Sequence, residues 1–482
     1  MNVPFIMLFA TTNGHYFYEA NENEFIEVSA DSFAYLEGIV KKEKNFGDKI
    51  PVEIQKLAAR GYFAQESAVK ELKQYYTPFL EDLLERKVGK ITLQLTQNCN
   101  FRCKYCTYSE NVNSSQRSHA NKWMSWEMAK QAIDFLWEHS IDSLKVNVGF
   151  YGGEPLLAFP LIKKAVTYSK ERFVGKELTF SITTNATLFT DEIIHYFALH
   201  KVSLLISLDG PKEINDVNRV FADGKGTYDA VIERINRIHE IEPEYAQDMM
   251  VNMVMDPEQD FDCYNFATLE GSDIDNLSIM GTLVERGDGE QEATVSHEYA
   301  WKVQYQQFLA TLAVMKRYTR ENVAPIANFI LQSDRKNHKR FEMKEGLHVI
   351  DAPSGPCIPG KTRLFVDVEG NMFPCERVSE GSSAMRIGTL ERGFDLEKIE
   401  PLLNIGRLTQ ENCKKCWCFR YCTMCAKAAD GGDQLSADKK LSACEGVRGS
   451  VYASMVQYLL FKEIPIFYGE QIRNEQIAKG VK

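Results

Sequence analysis

The chain has 482 residues, 44% of them hydrophobic and 26% charged, with a formal net charge of −11. That length suggests about three domains and a core large enough to need no disulfide staples. The acidic balance excludes a general nucleic-acid binder, which requires a basic face, and the one dense basic run, "RKNHKR" at 335–340, reads as a solvated surface.

The N-terminal stretch "NVPFIMLFATTNGHY" has no basic leading region and no small-residue cleavage site, and its apolar part breaks at Thr11. Neither a signal peptide nor a membrane span is expected, which places the protein in the cytoplasm without a membrane partner. In that compartment twelve cysteines point to metal or redox chemistry more than to a disulfide framework.

Within residues 1–50, "FIMLFA", "HYFYEA" and "EFIEVS" predict three short antiparallel strands. "SADSFAYLEGIV" predicts a helix with a Ser or Asp N-cap, and "IPVEIQKLAARGYF" a second helix ending at Gly61. Residues 1–85 therefore form a small α+β unit, joined to the next by the helix-prone bridge "AVKELKQYYTPFLEDLLERKVGK".

From residue 86 to 330 the pattern alternates. Strands are predicted at 91–95, 144–152, 178–185, 202–210, 249–256 and 276–285. Amphipathic helices such as "EMAKQAIDFLWEH", "LIKKAVTYSKERF", "DEIIHYFALH" and "TYDAVIERINRIHEI" separate them. Apolar strands separated by helices predict a parallel sheet, and six repeats predict an α/β fold of the partial (β/α)6, TIM-like kind. Reactive groups in such folds sit after the C-terminal ends of strands. The triplet Cys99, Cys103 and Cys106 follows strand one, "GGEP" (152–155) closes strand two, "TTN" (183–185) strand three and "SLDG" (207–210) strand four, so all four share one mouth.

After the helix "SHEYAWKVQYQQFLATLAVMKRYTR" and Pro325, residues 331–482 are cysteine-rich and carry a hairpin at 363–378 turning at Glu369-Gly370-Asn371. Cys263 stands apart and reads as a packed thiol. The spacing of the first triplet, C-x3-C-x2-C, leaves two readings: zinc with a distant fourth donor, or a [4Fe–4S] cluster with one iron lacking a protein ligand. Gly152 and Gly153 let a ligand approach the main chain, and Glu154 adds a carboxylate, so a ligand with an amine and a carboxylate would satisfy both iron and loop.

"CNFRCKYC" followed by "GGEP" resembles the radical S-adenosylmethionine superfamily, with Tyr105 as the aromatic residue before the last cysteine. The resemblance implies S-adenosylmethionine and a cluster on Cys99, Cys103 and Cys106, which together yield a 5′-deoxyadenosyl radical that abstracts hydrogen from unactivated C–H. It assigns Gly152, Gly153 and Glu154 to the methionine amine and Tyr105 to the adenine side. Ser207 and Arg219 become candidates for the carboxylate or ribose, and Asn185 joins them, although "LDGP" is also a plain strand-end turn.

Cys357, Cys375, Cys413, Cys416, Cys422, Cys425 and Cys444 resemble the SPASM extension, which holds two further [4Fe–4S] clusters; a pair of zinc ribbons with four thiolates each would use these seven and Cys418. By that resemblance Cys413, Cys416, Cys422 and Cys444 fill the outer cluster, and Cys357, Cys375 and Cys425 the inner one. The extra Cys418 either completes the inner set or leaves it open to a substrate thiolate, its closeness to Cys416 favouring the open site. Glu376, directly after Cys375, stands where a carboxylate could take a proton; surface solvation explains it equally.

The N-terminal unit resembles in pattern a RiPP recognition element, a winged-helix-like fold that binds leader peptides by strand addition; a unit that only packs on the barrel is the plainer reading. Together the parts imply a ribosomal-peptide maturase. The expected reaction is thioether formation on a cysteine-rich precursor, with a flavodoxin- or ferredoxin-type reductant as partner. Formylglycine formation, carbon–carbon crosslinking and a zinc-only binding module are the alternatives.

Overall fold

Six strands run parallel and in chain order across one sheet: β5 (Lys90–Thr96), β6 (Lys145–Gly152), β7 (Glu177–Thr184), β8 (Val202–Ser207), β9 (Met250–Met255) and β10 (Ser278–Leu283). They are preceded by β1 (Ile6–Ala10), β2 (His15–Glu19), β3 (Glu24–Val28) and the two-residue β4 (Glu71–Leu72). The computed structural model describes residues 4–43, 49–106, 119–261, 278–284, 295–319, 323–324, 326–327, 331 and 338–463. Cys263 and residues 335–337 of the basic run lie outside these.

The helices between the strands form where the apolar period calls for them: Trp126–Glu138, Phe159–Arg172, Asp191–Leu199 and Tyr228–Ile241. Ser125 and Thr190 cap the first and third by accepting from Met128 and Ile193 N–H, which satisfies donors that a helix start leaves open. Their apolar stripes meet Leu93, Leu95, Val148, Phe150, Phe180 and Ile182 on one sheet face, and this is the main core.

The opposite face carries one small, polar layer at its middle strands. A Cβ on Gly149 would lie 3.1 Å from Thr92 Oγ1 and 3.3 Å from Ser181 Oγ, so these three residues form one layer. Parallel sheets are usually apolar on both faces, and this layer departs from that rule.

Four more strands extend this sheet beyond β5. After β11 (Ile350–Asp351) come β12 (Leu364–Val366), β13 (Asn371–Phe373), β14 (Gly388–Thr389) and β15 (Gly393–Phe394). β12 pairs parallel to β5, Phe365 opposite Thr92, and antiparallel to β13, Phe365 opposite Phe373. The cysteine-rich hairpin is thus hydrogen-bonded directly to the strand that leads into the first cysteine loop. At its turn Asp367 Oδ1 accepts from Glu369 and Asn371 N–H, and Gly370 takes φ +83°, the left-handed region that glycine enters without strain.

The N-terminal sheet has the order β1-β2-β3. Neighbouring residues of β2 serve opposite faces: Phe17 packs with Leu36 and Ile54 of the helices Ala30–Val40 and Val52–Ala59, while Tyr18 packs with Phe419, Tyr421 and Leu459 of the C-terminal region. The bridge after residue 67 differs from the helical expectation. It is helical only at Leu80–Arg86, because β4 pairs with β11 and Pro78 lies in a single 3-10 turn at Thr77–Phe79. Among the described residues no helix is long and apolar enough to cross a membrane.

Candidate functional site

The register of β5 against β6 shifts between Gln94 and Thr96, a bulge that re-aims the chain into the cysteine loop. Phe101 N–H donates to Cys99 Sγ at 3.3 Å, and Arg219 Nη1 stands 4.0 Å from Cys103 Sγ. Burial pushes the Cys99 thiol well up, with Glu154 and the other two thiols adding to it. Burial raises Cys103 to about 12 against the pull of Arg219, and Cys106 pushes the same way as burial. Such thiols gain most from a bound cationic centre, which deprotonates its ligands outright.

Among the described residues no three His, Cys, Asp or Glu side chains close on a single metal ion. The three sulfurs of this loop act on one another electrostatically, and a set made of thiols alone suits a polynuclear iron–sulfur centre.

Beside the loop, Gly153 N–H donates to Thr96 O and Glu154 N–H to Asn98 O, at 2.8 and 2.9 Å. A Cβ on Gly152 would fall 2.2 Å from Thr96 O, and one on Gly153 2.2 Å from Asn98 O. The glycines therefore have a reason nearer than the ligand approach expected of them: they let β6 close onto the cysteine loop.

Glu154 is almost fully buried. Its Oε1 accepts from Leu156 N–H and Thr184 Oγ1, and its Oε2 from Asn185 N–H. Burial raises its pKa to about 7 despite those three bonds. A carboxylate offers about four acceptor positions, so Glu154 has room for roughly one more donor, such as an amine.

Asn185 continues the chain of contacts. Its Nδ2 donates to Asn100 Oδ1 at 2.8 Å and lies 3.9 Å from Cys99 Sγ. Ser207 ends β8 opposite Asn252 of β9.

Arg219 is buried and its Nε lies 3.0 Å from Asp209 Oδ2, an ion pair not aligned as a hydrogen bond at that nitrogen. Asp209 also accepts from the Tyr105 hydroxyl and from Val254 N–H. The Arg219 guanidinium lies 5.5 Å from the Tyr105 ring centre. Burial alone would lower the Arg219 pKa, but Asp209, Tyr105 and Cys103 together raise it, so the guanidinium stays charged. Asp209 was not singled out from the sequence. A carboxylate directly after an apolar strand, ten residues before an arginine, was the signal available.

The C-terminal thiols fall into two sets. Cys413 and Cys416 both raise the Cys422 thiol, and Cys444 acts on the neighbouring Cys418. Separately, Cys375 feels Cys425. The chain at Gly355, two residues before Cys357, packs against the backbone of Thr423 and Met424, between Cys422 and Cys425. Cys418 responds to Cys416, Cys422 and Cys444 and is packed with Tyr18 and Phe419, so it stands with the four-thiol set. The eleven described cysteines are all free thiols. Glu376 Oε1 accepts from Arg363 Nη1 at 2.7 Å.

The family model described as Radical SAM superfamily matches residues 93–266. Uncharacterized protein MJ0907 of Methanocaldococcus jannaschii is 38% identical over 135 residues, 28% of this chain and 43% of the relative. The serine-type anaerobic sulfatase-maturating enzyme of Bacteroides thetaiotaomicron is 29% identical over 225 residues, 46% of this chain and 52% of the enzyme. The chain thus spans about half the length of these two curated relatives. Among solved structures, native anSMEcpe with bound AdoMet superposes with a TM-score of 0.56 at 17% identity, covering 78% of this chain and 100% of that one; this likeness is one of fold.

Proposed function

We propose that the chain, whose residues 93–266 match the Radical SAM superfamily model and which is similar to sulfatase-maturating enzymes, is a radical SAM peptide maturase forming intramolecular thioether bonds, Cys sulfur to carbon, in a cysteine-rich precursor. The observation that carries this reading is the division of the C-terminal thiols. Cys418 packs on the side of Cys416 and Cys422, and Cys375 faces Cys425; with Cys357 added as the family resemblance assigns it, the inner set would have three thiols for four irons and a place for a substrate thiolate.

In this proposal the six-strand sheet is a partial (β/α)6 barrel, residues 331–482 are a SPASM unit with two [4Fe–4S] clusters, and residues 1–85 bind the leader of the precursor along a sheet edge. The first cluster, on Cys99, Cys103 and Cys106, together with S-adenosylmethionine, supplies one-electron cleavage to a 5′-deoxyadenosyl radical.

The chain's own residues position that chemistry. Glu154 offers its remaining acceptor position to the methionine amine, and Gly152 and Gly153 hold the loop against the thiols. Asp209 and Arg219 fix the Tyr105 ring toward the adenine, while Asn185 and Ser207 line the same mouth. Glu376, oriented by Arg363, takes the proton released at the crosslink, and a cluster held by Cys357, Cys375 and Cys425 would accept the electron left over. A flavodoxin- or ferredoxin-type protein serves as reductant.

A second reading, formylglycine formation, is favoured by one specific finding. The cysteine-type anaerobic sulfatase-maturating enzyme of Clostridium perfringens strain ATCC 13124 is 23% identical over 344 residues, 68% of this chain and 85% of that enzyme. Anaerobic incubation with S-adenosylmethionine, dithionite and candidate cysteine-rich peptides, sought among short reading frames beside this gene, separates the outcomes by mass spectrometry. A thioether removes two hydrogens and one alkylatable thiol; a carbon–carbon crosslink removes two hydrogens and keeps the thiols; formylglycine gives a hydrazide-reactive aldehyde. Without 5′-deoxyadenosine among the products, the radical reading itself is overturned.

A further inference from the structure

Lys440 is only 3% exposed, a depth at which lysines are almost never found unless paired. Its ammonium donates to Thr409 Oγ1 and, at 3.4 Å, to Cys413 Sγ; Thr409 Oγ1 is itself 3.4 Å from that sulfur. Among the described residues no carboxylate pairs with it. A buried ammonium whose partners among the described residues are a hydroxyl and a sulfur has lost its hydration without a carboxylate counter-ion, a costly arrangement. A cluster held through that sulfur would bring the missing negative charge.

Other contacts point the same way. The Lys440 carbonyl accepts from the Cys444 thiol at 3.5 Å, so one residue touches two of the four thiols. Lys440 also draws down the Cys422 thiol, which burial raises, and Arg448 does the same for Cys416. Two cations thus face four sulfurs. At the three-thiol set the balance is different, because the Glu376 carboxylate lies beside Cys375 and Arg363 only offsets it.

We propose that Lys440 is the built-in counter-charge of the four-thiol site, and that its bond to Cys413 Sγ raises the reduction potential of a cluster bound there. Positive charge and hydrogen bonds to ligand sulfur both favour the reduced, more negative state. This inference rests on the reading of the C-terminal thiols as two cluster sites.

The test is a potentiometric titration, followed by electron paramagnetic resonance, of the full chain reconstituted anaerobically with iron and sulfide, without peptide. K440M is expected to lower one auxiliary potential by about tenfold in the one-electron reduction equilibrium, about 59 mV, leaving the other in place; K440R is expected to stay near wild type. Should K440M shed the outer iron, retention of that iron by K440R supports the counter-charge, and its loss from both variants overturns it. Full iron with unmoved potentials in K440M overturns the role of Lys440 alone. Iron for a single cluster in the wild type overturns the cluster reading on which it rests.

Discussion

Arg219 Nε lies 3.0 Å from Asp209 Oδ2, and both side chains are withdrawn from water. The pair joins the end of β8 to the cysteine loop, since Asp209 receives the Tyr105 hydroxyl and Arg219 reaches toward Cys103. Asp209→Ala leaves a buried guanidinium without its anion, and removing one partner of such a pair costs about 3–5 kcal/mol. The expected outcome is a lower denaturant midpoint by that amount. Asp209→Leu with Arg219→Met, which removes both charges, should recover part of it, while S-adenosylmethionine affinity, measured by calorimetry, stays impaired because Tyr105 has lost its anchor.

Gly153→Ala places a methyl group 2.2 Å from Asn98 O, a main-chain atom with little freedom to retreat. The loop must open, so iron bound at the first site after reconstitution should fall by one cluster's content while the far-ultraviolet circular dichroism is kept. Gly152→Ala, at φ +136° and 2.2 Å from Thr96 O, should behave in the same way. Normal iron loading in both would show that the close approach is not needed.

Cys418 packs among apolar side chains next to the four-thiol set. Cys418→Ala should leave the iron content unchanged and cost about 1 kcal/mol, the scale of a small core deletion. Cys422→Ala should lose one cluster's iron. Equal iron losses in the two variants would make Cys418 a ligand.

Glu19 is buried in the N-terminal sheet, with Oε2 accepting from Glu22 N–H at 2.7 Å and Oε1 without a partner among the described residues. Burial raises its pKa from the ordinary 4.5 to about 7. The folded state therefore binds this proton more tightly than the unfolded chain. Its contribution is fully present below pH 4.5 and is lost as pH rises through 7, amounting to about 3 kcal/mol at most. Melting curves from pH 5 to 8 should show this loss in the wild type. Glu19→Gln should flatten it, and an unchanged slope in that variant would assign the pH dependence elsewhere.

The alternation of strands and helices was legible from residue 91 to 283, because a buried parallel strand and an amphipathic helix each leave a periodic apolar signature in their own few residues. The same holds for the first cysteine loop, whose three thiols lie within eight positions. The region at 68–79 was not legible as structure, because β4 exists only through its pairing with Ile350 and Asp351, nearly three hundred residues away.

Local spacing in the chain thus determined the elements, the thiol triplet and the two groups of cysteines, since covalent geometry limits how far apart near neighbours can lie. Tertiary structure alone decided that the hairpin at Leu364 continues the central sheet, that Cys418 sides with four thiols and not with three, that Asp209 holds Arg219 and Tyr105, and that Lys440 turns its ammonium onto Cys413. Each of these depends on where distant segments cross, and a buried charge reveals its partner only once the surrounding core has excluded water.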